Sequence, residues 1–485
     1  MKLKTGAEII HGMSALLIYI GLLVPLWSFA EQFDAEAVVI YLELASALSF
    51  YYYWRIAPWG TARYTCFGAA LLIFAIIFRC LIIIDVLANG IDDREWPPSL
   101  PIYGSLAWLF IRGEMITQLG FVLTIAAWRI AVAGSIERLS LPRLAFTGVA
   151  RSKLITLYGA ALVITGLLGS DAVDFGGLQQ IAGGVTFLGV AAIYLYASAC
   201  VGRWRRFSMA VVLALPLCLA AMNSGMKEGI FLPLVPSFMI LWRDFSRIEA
   251  RAAMVVAALG VFAIGGLYAN YVRTHIWTSG QHESPAQIAQ AVYNSITQES
   301  FSEAMEGVMG RVNYAIAHAI TMAVVDRNGF YFEEVYAPLP VVFIPRLLWP
   351  DKPVIQPGAA HTRRILGSSK DLSEMTSATA AGLYAEMYLG GGYLVMMLSA
   401  IVYGTLVGKL QLWVLRRLPP LATALMAYNL FYKSIRFDEV AVLYAYNGII
   451  LFVVTLWLVM RLLYPGYRPG RPEQSPGLRV PRASF

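Results

Sequence analysis

Pro338-Leu339-Pro340-Val341-Val342-Phe343-Ile344-Pro345-Arg346-Leu347-Leu348-Trp349-Pro350-Asp351-Lys352-Pro353 lies near the middle of a polar break, residues 273–379, in an otherwise apolar chain. Each of its five prolines removes a backbone donor and restricts the residue before it, which predicts irregular backbone rather than a regular helix. The stretch is nonetheless largely apolar. It is expected to hug the membrane as a rigid segment that holds Arg346, Asp351 and Lys352 in fixed places. Four of the five histidines (His275, His282, His318, His361) fall in the same break, which makes it the expected seat of any chemistry.

The composition around this break is that of a polytopic membrane protein, with 58% hydrophobic and 14% charged residues. Several apolar runs reach the roughly 20 residues needed to cross a bilayer core. The first, residues 9–30, is too long for a signal-peptide core and lacks a small-residue cleavage pattern, so it reads as a permanent helix. Cys66, Cys80, Cys200 and Cys218 fall within apolar runs without ligand spacing and read as small buried side chains.

Twelve spans are predicted, at residues 9–30, 36–54, 65–88, 114–133, 154–170, 180–201, 208–222, 229–242, 252–272, 380–407, 419–432 and 440–460. The fold class expected is therefore an all-α polytopic membrane protein of about 12 transmembrane helices, with a large periplasmic loop between the ninth and tenth. Its parts are a nine-span membrane domain (1–272), the loop (273–379), three C-terminal spans (380–464) and a disordered basic cytoplasmic tail (465–485). One side of this topology collects 23 of the 37 basic residues against five acids, which assigns it and both termini to the cytoplasm. The loop carries eight Lys/Arg and ten Asp/Glu, so individually placed cations must matter there rather than a general basic field. Within it, residues 285–307 and 310–325 read as amphipathic helices. Two short outward turns, 223–229 with Lys227 and 433–439 with Arg436, are expected to sit below the membrane surface and line a watery bowl.

No P-loop, dinucleotide fingerprint, His-Glu-x-x-His or Gly-x-Ser-x-Gly motif is present, so any activated group must arrive in the substrate or as an ion gradient. Arg346, flanked by Pro345, is the first candidate: its planar fork suits a phosphate, although an arginine that snorkels to the interface or pairs with Asp351 looks the same in sequence. Arg311, Tyr314 and His318, at i, i+3 and i+7, form either an anion clamp beside a base or a solvated helix face. Arg273 with His275, and the cluster of His361, Arg363 and Arg364, suit a pyrophosphate or a headgroup anchor. Glu386, one turn into the tenth span, either deprotonates a hydroxyl or pairs with an arginine to position the loop. Glu43 and Arg79, about 10 and 13 Å below the outer surface at 1.5 Å per residue, predict an architectural ion pair between the second and third spans.

The run Phe343-Ile344-Pro345-Arg346-Leu347-Leu348-Trp349-Pro350-Asp351-Lys352-Pro353, followed by Ala385-Glu386-Met387-Tyr388-Leu389-Gly390-Gly391-Gly392, resembles the Wzy-type family. These are O-antigen and exopolysaccharide repeat-unit polymerases of bacterial inner membranes. The resemblance covers about residues 270–410. It implies a cofactor-free, metal-independent glycosyltransferase with a GT-C-like membrane fold. Its substrates would be undecaprenyl-pyrophosphate-linked oligosaccharides at the periplasmic face, and its partners a chain-length regulator and a flippase of the same pathway. Arg346 is the residue it marks for stabilising the leaving pyrophosphate, with Arg273, Arg311, Arg363 and Arg364 added by placement. His318, His361 and Glu386 compete as the base. The rival readings are an O-antigen ligase or another lipid-linked glycosyltransferase, and a transporter of the same lipid-linked glycan.

Overall fold

The computed structural model describes residues 17–21, 34–56, 67–91, 105–133, 151–168, 179–222, 232–245, 315–342, 357–366 and 381–417, with scattered short groups elsewhere. Its helices are α1 (Ala35–Ile56), α2 (Phe67–Asn89), α3 (Leu106–Ala131), α4 (Arg151–Leu168), α5 (Gln179–Ser198), α6 (Arg203–Met222) and α7 (Val235–Asp244). They continue with α8 (Ala315–Asn328), α9 (Phe332–Tyr336), α10 (Pro338–Val342), α11 (Pro357–Leu366), α12 (Leu383–Leu389) and α13 (Gly392–Arg417). The all-α architecture is as the sequence predicts.

The expectation of about 12 transmembrane helices is not met. Among the described residues, two helices are long and apolar enough to cross a membrane, Leu106–Ala131 and Gly392–Val414. Shorter apolar helical stretches among the described residues are Ser152–Leu167, Thr186–Ser198 and Leu232–Leu241. Ten helical residues reach about 15 Å, half of a bilayer core. An apolar run counts toward composition whether or not it forms one unbroken rod, and this is where the count went too high. The predicted spans 9–30, 252–272, 419–432 and 440–460 lie largely outside the described residues. The predicted span 380–407 is broken: α12 ends before Gly390, and α13 begins at Gly392, whose φ of 73° is open to glycine but strained for other residues.

α3 is the axis of the larger helix group. It packs against α1, α2, α8, α12 and α13, while α4, α5, α6 and α7 form a second group. The start of α3 is defined by Ser105, whose hydroxyl accepts from the Trp108 N–H at 3.1 Å as an N-cap. Small residues then let partners approach closely. A Cβ added at Gly404 of α13 would lie 2.3 Å from the Thr124 carbonyl oxygen, and one at Gly408 would lie 2.8 Å from Ala131 Cβ. Buried polar contacts fix the register: Trp128 Nε1–H donates to Gln411 at 3.1 Å, and the Thr124 hydroxyl donates to the Ala400 carbonyl at 3.3 Å.

The polar break also departs from the sequence reading. Residues 310–325 were expected to form an amphipathic helix of the outer loop, yet α8 is buried on nearly every side and packs directly on α3. The proline-rich stretch was expected to be irregular, yet Pro338–Val342 is a single helical turn. Pro338 and Pro340 sit in its first turn, where backbone N–H groups have no intrahelical acceptor, so nothing is lost there.

Outward faces are apolar. α13 exposes Leu394, Leu398, Ile401, Val402, Leu406 and Trp413 along one stripe while Met396, Ala400, Tyr403 and Val407 are buried. α6 likewise exposes Val212, Leu215 and Leu219. Contiguous apolar stripes of this size mark contact with lipid or with another apolar surface.

Candidate functional site: a buried carboxylate–histidine network

Four ionisable side chains meet where α1, α2, α3 and α8 converge. Glu43, Arg79, Glu114 and His318 are each 0–1% exposed. Arg79 lies between two carboxylates: its Nη1 is 3.2 Å from Glu43 Oε2 and also donates to Glu114 Oε2. On its other oxygen, Glu114 meets His318 Nδ1 at 2.7 Å. His318 Nε2 has no hydrogen-bond partner among the described residues.

The far side is equally well connected. Gln118, one turn beyond Glu114, donates its Nε2–H to Glu43 Oε1 at 2.8 Å. Its Oε1 accepts from the Tyr19 hydroxyl at 3.0 Å and from Ser46. Glu114 and Gln118 share a face because they are four residues apart. The approach of α8 depends on Gly113, where a Cβ would come within 2.8 Å of His318 Cβ and 2.9 Å of its carbonyl carbon. Two turns further along α8, Asp326 closes a two-pronged ion pair with Arg112 of α3 at 2.6 and 3.0 Å.

A second imidazole adjoins the first through α8. Thr321, three residues after His318, places its hydroxyl 3.5 Å from His361 Nε2 of α11. Burial, with a smaller contribution from the Arg364 charge, pulls His361 down to about 3. It is therefore neutral at physiological pH and a weak base. The folded value is below the ordinary 6.5, so the stability it contributes is complete above about pH 6.5 and is lost as pH falls toward 3. His361→Asn is expected to flatten that part of an unfolding-midpoint-versus-pH curve; an unchanged acid slope would contradict it.

The other predicted site residues separate into two groups. Arg364 is committed to structure: it pairs with Glu334, stacks 4.6 Å over the Tyr331 ring, and its carbonyl accepts from Arg327. Glu386 accepts the Val442 N–H and so ties α12 to the C-terminal region. Arg363 is half-buried and makes no ion pair among the described residues. Arg346, Arg273, Arg311, Tyr314, Lys352, Lys227 and Arg436 lie outside the described residues. Among the described residues no group of three or more His, Cys, Asp or Glu is arranged to hold a metal ion.

Sequence reasoning singled out His318 and the Glu43–Arg79 pair but missed Glu114, Gln118, Ser46 and Tyr19. The cause is the predicted start of the fourth span at residue 114, where a carboxylate at the water boundary is unremarkable. α3 starts eight residues earlier, at Leu106, which puts Glu114 two turns inside a buried helix. No curated protein and no solved structure matches the chain. One family matches residues 125–465, a region that contains α8 to α13 and the whole second helix group, and to it the chain belongs: the Domain of unknown function (DUF8712) family.

Proposed function

We propose that this protein is a glycosyltransferase of the Wzy kind in the bacterial inner membrane. It would polymerise undecaprenyl-pyrophosphate-linked oligosaccharide repeat units at the periplasmic face. The observation that carries the reading is His318: a buried imidazole with one nitrogen against a carboxylate and the other without a described partner. That is the arrangement of a general base held by an orienting acid. The apolar stripes on α6 and α13 suit a lipid setting, and the Arg346 motif described above supplies the family resemblance.

In this reaction a hydroxyl oxygen of the incoming repeat unit attacks the anomeric carbon of the growing chain. The bond from that carbon to the lipid pyrophosphate breaks, and its electron pair leaves with the pyrophosphate. The hydroxyl proton passes to His318 Nε2. Charge developing on the leaving group is met by Arg346, with Arg273, Arg311 and Arg363 as further cations, in a partly dehydrated site where fixed charges act strongly. Arg364 is left out of this set because Glu334 already engages it. His361 and Glu386 are left out as bases, the first because burial weakens it and the second because its carboxylate accepts a backbone N–H.

The test uses purified protein, one synthetic undecaprenyl-pyrophosphate oligosaccharide, EDTA and no nucleotide. A ladder of products spaced by one repeat unit is expected, and it should disappear in Arg346→Ala and in His318→Gln. Transfer to a lipid A core acceptor without a ladder would identify a ligase. Movement of the lipid across liposomes without new glycosidic bonds would replace the enzyme with a transporter.

A further inference from the structure

Imidazole exists in two neutral tautomers, and the partner of one nitrogen decides which is present. Here the partner of Nδ1 is Glu114, whose second oxygen accepts from the Arg79 guanidinium. A carboxylate paired with arginine is an acceptor only, so the proton of the 2.7 Å contact belongs to His318 Nδ1. Nε2 then carries the lone pair.

The rest of the network leaves little freedom for this assignment to change. Tyr19 and Ser46 both approach Gln118 Oε1, and Gln118 Nε2 points at Glu43. Flipping that amide would set an oxygen against the Glu43 carboxylate, two acceptors face to face. Glu43 is therefore held by Gln118, Arg79 by Glu43, and Glu114 by Arg79. The Gln118 amide N–H, the Arg79 guanidinium and His318 Nδ1 each point toward a carboxylate, while Tyr19 and Ser46 donate to the Gln118 oxygen. Backbone position is equally constrained, because Gly113 lets α8 rest on α3 at the residue before Glu114.

We infer that Glu114 is a positioning residue: it fixes His318 in the Nδ1–H tautomer with the lone pair on Nε2, and the Arg79–Glu43–Gln118 chain holds Glu114 in place. The consequence for catalysis rests on the proposed function, but the tautomer does not. A network that only held helices together would set the same tautomer, so the positioning role is read from kcat against KM. Glutamine in place of Glu114 keeps the shape yet offers both a donor and an acceptor, so the bias on the imidazole is lost.

The experiment is 15N NMR of the full-length protein in lipid with 15N-labelled histidine. The chain has five histidines, and the His318 pair of resonances is assigned by its loss in His318→Gln. The expected wild-type spectrum shows His318 with a protonated Nδ1 and a bare Nε2. In Glu114→Gln an Nε2–H population should appear, and if the ladder assay is active, kcat should fall about 100-fold or more with KM nearly unchanged. A wild-type Nε2–H tautomer, or a Glu114→Gln protein that keeps Nδ1–H, overturns the inference. If Glu114→Gln does not fold, the wild-type dipolar coupling between Glu 13Cδ and His318 15Nδ1 carries the test, and absence of that coupling overturns it. The predicted tautomer without any polymer would sink the proposed function alone, while a ladder with the opposite tautomer would sink the positioning role alone.

Discussion

Arg79→Met is expected to abolish most folded protein. The guanidinium is the cation between Glu43 and Glu114, and both carboxylates are 0% exposed. Removing it leaves two buried anions facing each other, and breaking a buried pair in this way costs about 3–5 kcal/mol. A typical domain has only about 5–15 kcal/mol in total, so the loss is a large share of the whole. Folded yield by size-exclusion chromatography in detergent, and the thermal midpoint of what remains, measure it. The companion variant carrying Arg79→Met, Glu43→Gln and Glu114→Gln removes all three charges together. It is expected to recover much of the fold, because neutral groups of the same shape carry a far smaller desolvation cost. It should not recover the His318 tautomer. Wild-type stability in Arg79→Met alone would mean that the network is wet or uncharged, and the account of the site would fall with it.

Gly404→Leu is expected to be nearly as damaging for a steric reason. Even a methyl group at this position would lie 2.3 Å from the Thr124 carbonyl oxygen, and backbone cannot move aside as a flexible side chain can. α13 would have to lift away from α3, taking with it the 3.3 Å contact from Thr124 to Ala400 and the 3.1 Å bond from Trp128 to Gln411. Overpacking of this kind costs about 1–3 kcal/mol for small insertions and more for a branched side chain. Gly404→Ala should therefore lower the thermal midpoint measurably and Gly404→Leu should leave little folded protein. Gly159→Ala is the control: among the described residues, nothing beyond its chain neighbours and its own helix backbone lies within 4 Å of the added Cβ, and alanine is the better helix former. Equal effects at residues 159 and 404 would contradict the close α3–α13 contact.

Both expectations concern features that a linear reading reaches only in part. Gly404 and Gly408 form a Gly-x-x-x-Gly pair in an apolar helix, a pattern associated with close helix approach, but which partner they meet depends on the tertiary fold. The pairing of Glu43 with Arg79 was legible because two opposite charges at similar depth in neighbouring apolar runs have few alternatives. Glu114 was not, because its significance depends on where α3 begins, and that is set by the Ser105 cap rather than by hydropathy. Helical content was legible from apolar runs; the number of unbroken rods was not, since short helices and a break at residues 390–392 leave composition unchanged. The central position of α8 had the weakest signal. Its sequence sits in a polar break, and only small residues such as Ala315, Ala319 and Ala323 hint that it packs against a neighbour.

The most direct test of the account is whether substrate reaches His318 Nε2. Undecaprenyl-pyrophosphate oligosaccharide would be titrated into the 15N-histidine-labelled protein under conditions that support the ladder, with Arg346→Ala used to halt turnover. The account predicts that the His318 Nε2 resonance moves on addition of the glycan while the Nδ1 resonance, held against Glu114, changes little. An Nε2 resonance that stays in place while the wild-type protein polymerises the same substrate would contradict it and would place the base elsewhere.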